Sequence, residues 1–269
     1  MHGFSAAALS LLWVVATVSG ACAHDYWLEQ RPWSVSPGDE CTVHLLVGDE
    51  LSAELERPLQ RNLTTRYEWH TATETLKLAT MPDSTLPVFK RAMTTPGLSL
   101  LVMDRNFVSI ESTVRGFREF LENEEQQGLG APYEGVNGET PLSRRYARSI
   151  KSLIRVGTPD SSSLHQKTVG QAVEIRIMEP PHALALGDHF TVHVAFNGVD
   201  LTSHLVKAFA KEEDGTVTTQ KRTTNDQGEA TFALDRAGLW MIRVAHLRQC
   251  NDCGVDWDTH YATFCFVYP

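Results

Sequence analysis

Positive charge is scarce in this chain. Twenty-four lysines and arginines stand against 33 aspartates and glutamates, which leaves a formal net charge of -9. A chain of that sign lacks the clustered cations that nucleic-acid phosphates require, so a polyanion-binding role is excluded. Cysteine is equally sparse, at five in 269 residues, and this excludes a disulfide scaffold in favour of an ordinary hydrophobic core. Beyond the first twenty residues no apolar stretch reaches the length of a membrane helix. G-x-S-x-G, a phosphate-binding P-loop and a helical histidine pair are all missing, and with them any support for hydrolytic chemistry. The expectation is a binding protein and not an enzyme.

What is there begins with residues 1–23, an apolar core from Ser5 to Val18 followed by Ala21-Cys22-Ala23. This reads as a secretory signal peptide with an A-x-A cleavage site. Acylation of Cys22 is the rival reading, and Ser19 counts against it because Leu or Val usually stands there. Cleavage after Ala23 makes His24 the first residue of a periplasmic or secreted protein with no membrane span.

Hydropathy patterning divides the rest on the usual length prior into two β domains, residues 24–157 and 170–269. The polar stretch "GTPDSSSLHQKTVG" (157–170) is the linker. In the first domain "ECTVHLLVG" sets Cys41, Val43, Leu45 and Val47 against Thr42, His44 and Leu46, the period-two signature of a strand. "RYEWHTATETLKLA" and "TPGLSLLVMDRNFVSI" continue it. A helical insertion is expected over about 112–156, in two parts. "TVRGFREFLENEEQQGL" places Val114, Phe117, Phe120 and Leu121 at helical spacing, capped by Thr113 and stopped by Gly128. A second helix is expected from Thr140-Pro141 onward, with Tyr146, Ile150 and Leu153 on one face and Arg144, Arg148, Lys151 and Arg155 on a solvated basic face. Residues 170–269 hold seven short strands with turn signals, which predicts an antiparallel sandwich of immunoglobulin or transthyretin type.

Histidine is the commonest transition-metal ligand, so each is weighed. His189 and His193 have the i, i+4 spacing that serves a helix, but they lie in a strand that holds them roughly 13 Å apart; a solvent-facing role is expected. The same bland surface reading applies to His44, His70, His165, His182 and His204. His246 and His260 differ, because each closes the apolar face of a strand and the two strands form a hairpin. Side by side, they are candidate metal ligands. Between them, "CNDCG" offers Cys250 and Cys253, which close as a small disulfide in an oxidising compartment or grip a soft metal; the disulfide is preferred. Cys41 and Cys265 fit buried strand positions as free thiols.

A free N-terminal His24 offers its α-amine and its imidazole Nδ1 to one ion, and the amine's ordinary pKa of about 7.7–8.0 lets a metal displace its proton near neutrality. Further imidazoles from His246 and His260 would complete a nitrogen-rich site for Ni or Cu, and less specifically Co or Zn. Asp25 stands ready to ligate or to orient the ring.

Several stretches together carry a resemblance: "AHDYWLE", "TPGLSLL", "FREFLENEEQQGL", "SRRYARSIKSLIRVG", "EIRIMEPPHALALGD", "TNDQGEATFALDRAGLWMIRVAH" and "DWDTHYATFCFVYP". In them the chain resembles the exported bacterial family called domain of unknown function 4198, whose members are associated with nickel or cobalt uptake. The resemblance implies a periplasmic β protein with a transthyretin-like C-terminal half, a divalent-metal role for His24, Asp25 and His246, and a membrane metal transporter as partner. "CNDCG" and His260 depart from the family pattern. Two other functions compete with metal capture: a structural or adhesive exported β module without metal, and an oxidative copper enzyme built on the N-terminal histidine.

Overall fold

The computed structural model describes residues 24–268; the signal-peptide reading of residues 1–23 lies outside them. In chain order the strands are β1 (Asp25–Arg31), β2 (Glu40–Asp49), β3 (Ser52–Arg57), β4 (Thr64–His70), β5 (Thr75–Lys77), β6 (Phe89–Ala92) and β7 (Gly97–Thr113). Helix α1 (Val114–Asn123) and a 3-10 turn (Gln127–Tyr133) separate these from β8 (Pro141–Val156). There follow β9 (Val173–Ile177), β10 (His189–Phe196), β11 (Val199–Asp200), β12 (Leu205–Lys211), β13 (Val217–Thr223), β14 (Glu229–Ala233), β15 (Gly238–Gln249) and β16 (Trp257–Tyr268). The mainly β, sandwich-like class expected from the patterning is the one the chain adopts, and all seven strands expected after the linker form.

One eight-stranded sheet, in the order β13-β12-β15-β16-β8-β7-β4-β5, runs through the middle of the molecule. β16 and β8 pair in parallel, Trp257 opposite Arg144 through Phe266 opposite Leu153, so strands from both halves share this sheet. A small sheet of β9, β10, β11 and β14 covers one face, where Phe190, Val192, Val194, Trp240, Ile242, Val244 and Phe264 are buried together. A second small sheet of β1, β2, β3 and β6 covers the other face through Leu28, Val43, Leu45, Leu101, Met103 and Ile154. Beside it α1 packs Phe117, Phe120 and Leu121 against Leu247, Trp257 and Tyr261. Strands covered on both sides lose the in–out alternation of a half-exposed sheet; β15 and β16 are accordingly buried along most of their length.

α1 starts as expected, with the Thr113 hydroxyl accepting from the Gly116 backbone N–H. It stops five residues before Gly128. Glu125 takes a left-handed φ of 59°, Gln126 N donates to Leu121 O and Glu125 N to Glu122 O, which together form a Schellman ending without glycine. Lys207 and Lys221 hold the Glu125 carboxylate at 2.8 and 2.7 Å and compensate that conformation.

The expected second helix is instead β8, and the insertion contains one α-helix followed by the 3-10 turn. The apparent basic face misled because three of its four cations, Arg144, Arg148 and Lys151, are internal, with Arg155 half-buried. The Arg144 guanidinium lies 4.1 Å from the Phe120 ring centre under α1, and Lys151 is buried on the opposite face, where Nζ donates to the Glu174 carboxylate and to Lys167 O and Ile175 O. Alternating faces of a doubly covered strand, each holding cations and apolar groups, imitate a helical period.

Candidate functional site

β1 pairs antiparallel with β2, Asp25 opposite Gly48, and the β2–β3 hairpin extends beyond the start of β1. Continuing this register sets His24 beside Asp49. The Nδ1 of His24 lies 3.5 Å from Asp49 Oδ2, and its Nε2 lies 3.8 Å from Glu54 Oε2. The ring is 41% exposed, yet Nδ1 is shielded from solvent and has no hydrogen-bond partner. One imidazole and two carboxylates thus converge, with a donor atom from each within 4.8 Å of the others. The hairpin tip makes this possible through left-handed Glu50 (φ 51°) and Leu51 (φ 62°), the latter fully buried.

Asp25 points the other way, into the interior, where Arg243 Nε donates to its Oδ1 at 2.7 Å. The same guanidinium grips Glu124 with its remaining nitrogens, Nη2 to Oε1 at 2.7 Å. Burial alone would lower the pKa of Arg243, but Asp25 and Glu124 raise it well above the ordinary value. Asp25 therefore ties the start of β1 to α1 and β15, and its carboxylate is engaged there.

His246 and His260 are opposite each other on β15 and β16, the hairpin expected from their shared parity. Both project toward the β9–β10 side. Phe196 stands 4.4 Å from the His246 ring and 4.9 Å from the His260 ring, with Phe107 5.4 Å from His260. His24 belongs to the other side: Arg148 donates to its carbonyl and packs on Tyr261, while Thr263 donates to Tyr26 O, and both β16 residues have the parity opposite to His260. The eight-stranded sheet lies between His24 and the pair, so the expected joint claw is not assembled.

The pair has a neighbour to which no spacing pattern points. His204, expected at the surface, stands 5.4 Å from the His246 ring and shares Nε2 with Ala245 O at 3.1 Å. Burial, reinforced by the neighbouring His204, His260 and Arg248, lowers the pKa of His246 to about 4. Burial does the same to His260, against the opposing pull of Asp258. His246 Nδ1 and both nitrogens of His260 lack partners. Other histidines also depart from the surface reading: His70 and His165 are buried, and His193 is buried against Asp200 at 2.8 Å, while His189 is exposed.

Cys250 and Cys253 are joined as a disulfide, and Cys253 Sγ lies 3.5 Å from Asp258 Oδ1. Burial opposes ionisation of Asp258, yet hydrogen bonds from Arg145 and Arg248 more than offset it and lower its pKa. Cys41 and Cys265 are buried free thiols, as expected.

Fold and site define a layered β protein with a histidine–dicarboxylate cluster at the start of its first strand. Over residues 21–248 the chain matches the family described as Domain of unknown function (DUF4198), and it belongs to that family. The matched span takes in His24, Asp49, Glu54 and His246 and stops short of Cys250, Cys253 and His260. No curated protein matches the chain. Among the described residues no helix is long and apolar enough to cross a membrane.

Proposed function

We propose that this protein is an exported, periplasmic or secreted carrier of a divalent transition metal, Ni or Co and also Cu, and that it assists metal uptake. The ion is its cargo. His24, freed as the mature N-terminus, supplies its α-amine and Nδ1, and the carboxylates of Asp49 and Glu54 complete a mixed nitrogen–oxygen donor set. One observation carries this reading: the shielded and unpartnered Nδ1, the nitrogen that closes a chelate ring with the α-amine, lies 3.5 Å from Asp49. A membrane metal transporter is the recipient this reading implies.

The test is calorimetric titration of Ni, Co and Cu into protein that begins at His24. Asp49→Ala with Glu54→Ala weakens binding by about a hundredfold, at about tenfold for each lost ligand (~1.4 kcal/mol). His246→Phe with His260→Phe leaves it unchanged. Loss of binding in the histidine pair variant, with Asp49→Ala/Glu54→Ala unaffected, would move the site to the β15–β16 hairpin. No binding by the parent protein would leave the structural, metal-free β module.

A further inference from the structure

Arg105 on β7 and Arg148 on β8 are directly opposite each other, and both lie under the ring of Tyr26, at 5.3 and 4.1 Å from its centre. Like charges set opposite one another on neighbouring strands repel. Here they are also buried, Arg105 at 7% and Arg148 at 5% exposure. Among the described residues no carboxylate forms an ion pair with Arg105, Arg148 or the nearby Arg57. Arg148 spends one nitrogen on His24 O at 2.8 Å, and Arg105 spends one on Gln60 Oε1 at 2.7 Å. Arg148 Nε and Nη1, Arg105 Nη1, Arg57 Nε and the Tyr261 hydroxyl are buried without partners.

Stacking on Tyr26, Tyr146 and Tyr261 offsets part of the burial of Arg148. It leaves the in-plane N–H groups of the guanidinium unsatisfied, and each such group is costly when dry. Burial lowers the pKa of both arginines, and Arg148 and Arg57 push Arg105 down further. Removing one partner of a like-charged pair would be the simpler solution if only stability mattered; three guanidiniums with free donors are instead the complement of an anion.

The geometry points to an anion site in which Arg105 and Arg148, with Arg57 at the rim, bind a small organic acid carrying two or more carboxylates. A carboxylate presents two coplanar oxygens that match the forked N–H pairs of a guanidinium. Three guanidiniums call for more than one such group, and the half-buried rings of Tyr26 and Tyr146 give the carbon skeleton an apolar wall. Inorganic phosphate is the competing oxyanion. The site adjoins His24 through the Arg148 bond to its carbonyl, but it does not depend on the metal reading.

The test uses the purified protein stripped of metal, with citrate, succinate and inorganic phosphate compared at fixed ionic strength by calorimetry and thermal unfolding. Citrate or succinate is expected to bind one to one and to raise the unfolding temperature, with phosphate weaker by at least tenfold. Arg105→Gln is expected to weaken the carboxylate at least tenfold. Arg57→Gln, at the half-exposed rim, is expected to keep the unliganded unfolding temperature and still weaken binding several-fold, which covers the case that Arg105→Gln does not fold. No heat and no thermal shift with any of the three anions overturns the proposal, as does unchanged binding in Arg57→Gln and Arg105→Gln; phosphate binding alone overturns the carboxylate assignment. Because no metal is present, either outcome is independent of whether His24 chelates one.

Discussion

Arg243 and Asp25 meet at 2.7 Å across 218 positions of sequence, and this contact fixes the direction in which the first strand enters the molecule. With Asp25 turned inward to Arg243, the preceding residue His24 is left beside the β2–β3 hairpin and its carboxylates. Arg243→Met would leave Asp25 and Glu124 as buried, unpaired carboxylates. The expected loss is about 3–5 kcal/mol of stability, read from urea unfolding. A loss under about 1 kcal/mol would show that the triad does not anchor β1.

Asp25→Asn separates structure from ligation. It weakens the ion pair with Arg243 and so lowers the unfolding midpoint. Metal affinity at pH 7 is expected to stay within about threefold of the parent, since the Asp25 carboxylate faces the interior; a drop beyond about tenfold (~1.4 kcal/mol) would restore it as a ligand.

The paired histidines make stability depend on pH. Each has a folded pKa near 4, below the ordinary value of 6.5, because burial disfavours the charged ring. Between those values the unfolded chain takes up protons that the folded one refuses, so stability falls as pH drops from about 6.5 toward 4 and levels below it. The slope is at most about 1.4 kcal/mol per pH unit for each ring. Unfolding measured at pH 7, 5.5 and 4.5 should lose part of its pH dependence in His246→Phe with His260→Phe. Identical slopes in parent and variant would mean that neither ring is held neutral.

Cysteine chemistry gives a further check. Burial raises the thiol pKa of Cys41 to about 11 and that of Cys265 well above its ordinary value, so neither reacts in the folded state. In protein that begins at His24, and so lacks Cys22, a thiol reagent at pH 8 should find no reactive group until the Cys250–Cys253 disulfide is reduced, and two afterwards. Labelling of Cys41 or Cys265 in native protein would contradict their burial.

Period-two patterning revealed most of the strands, and the parity of His246 and His260 was enough to pair them, because a hairpin converts sequence parity into a shared face. β8 was hidden. Arg144, Arg145, Arg148 and Lys151 are stacked on aromatics or paired inside the protein, and a pattern rule that assigns charge to solvent turns such a strand into an amphipathic helix. Asp49 and Glu54 were hidden for another reason: they meet His24 only through the antiparallel register of β1 on β2, and nothing in the segment between the strands states that register. Parity did fix which face His260 uses, but not that the sheet carrying it would stand between it and His24.

Native mass spectrometry of the exported protein, alone and with one glycine inserted before His24, bears on the N-terminal chelate itself. The mature chain is expected to start at His24 and to retain one Ni, Co or Cu ion, and the extended variant to lose it. A mature terminus elsewhere, or equal metal retention by the extended variant, would contradict the chelate.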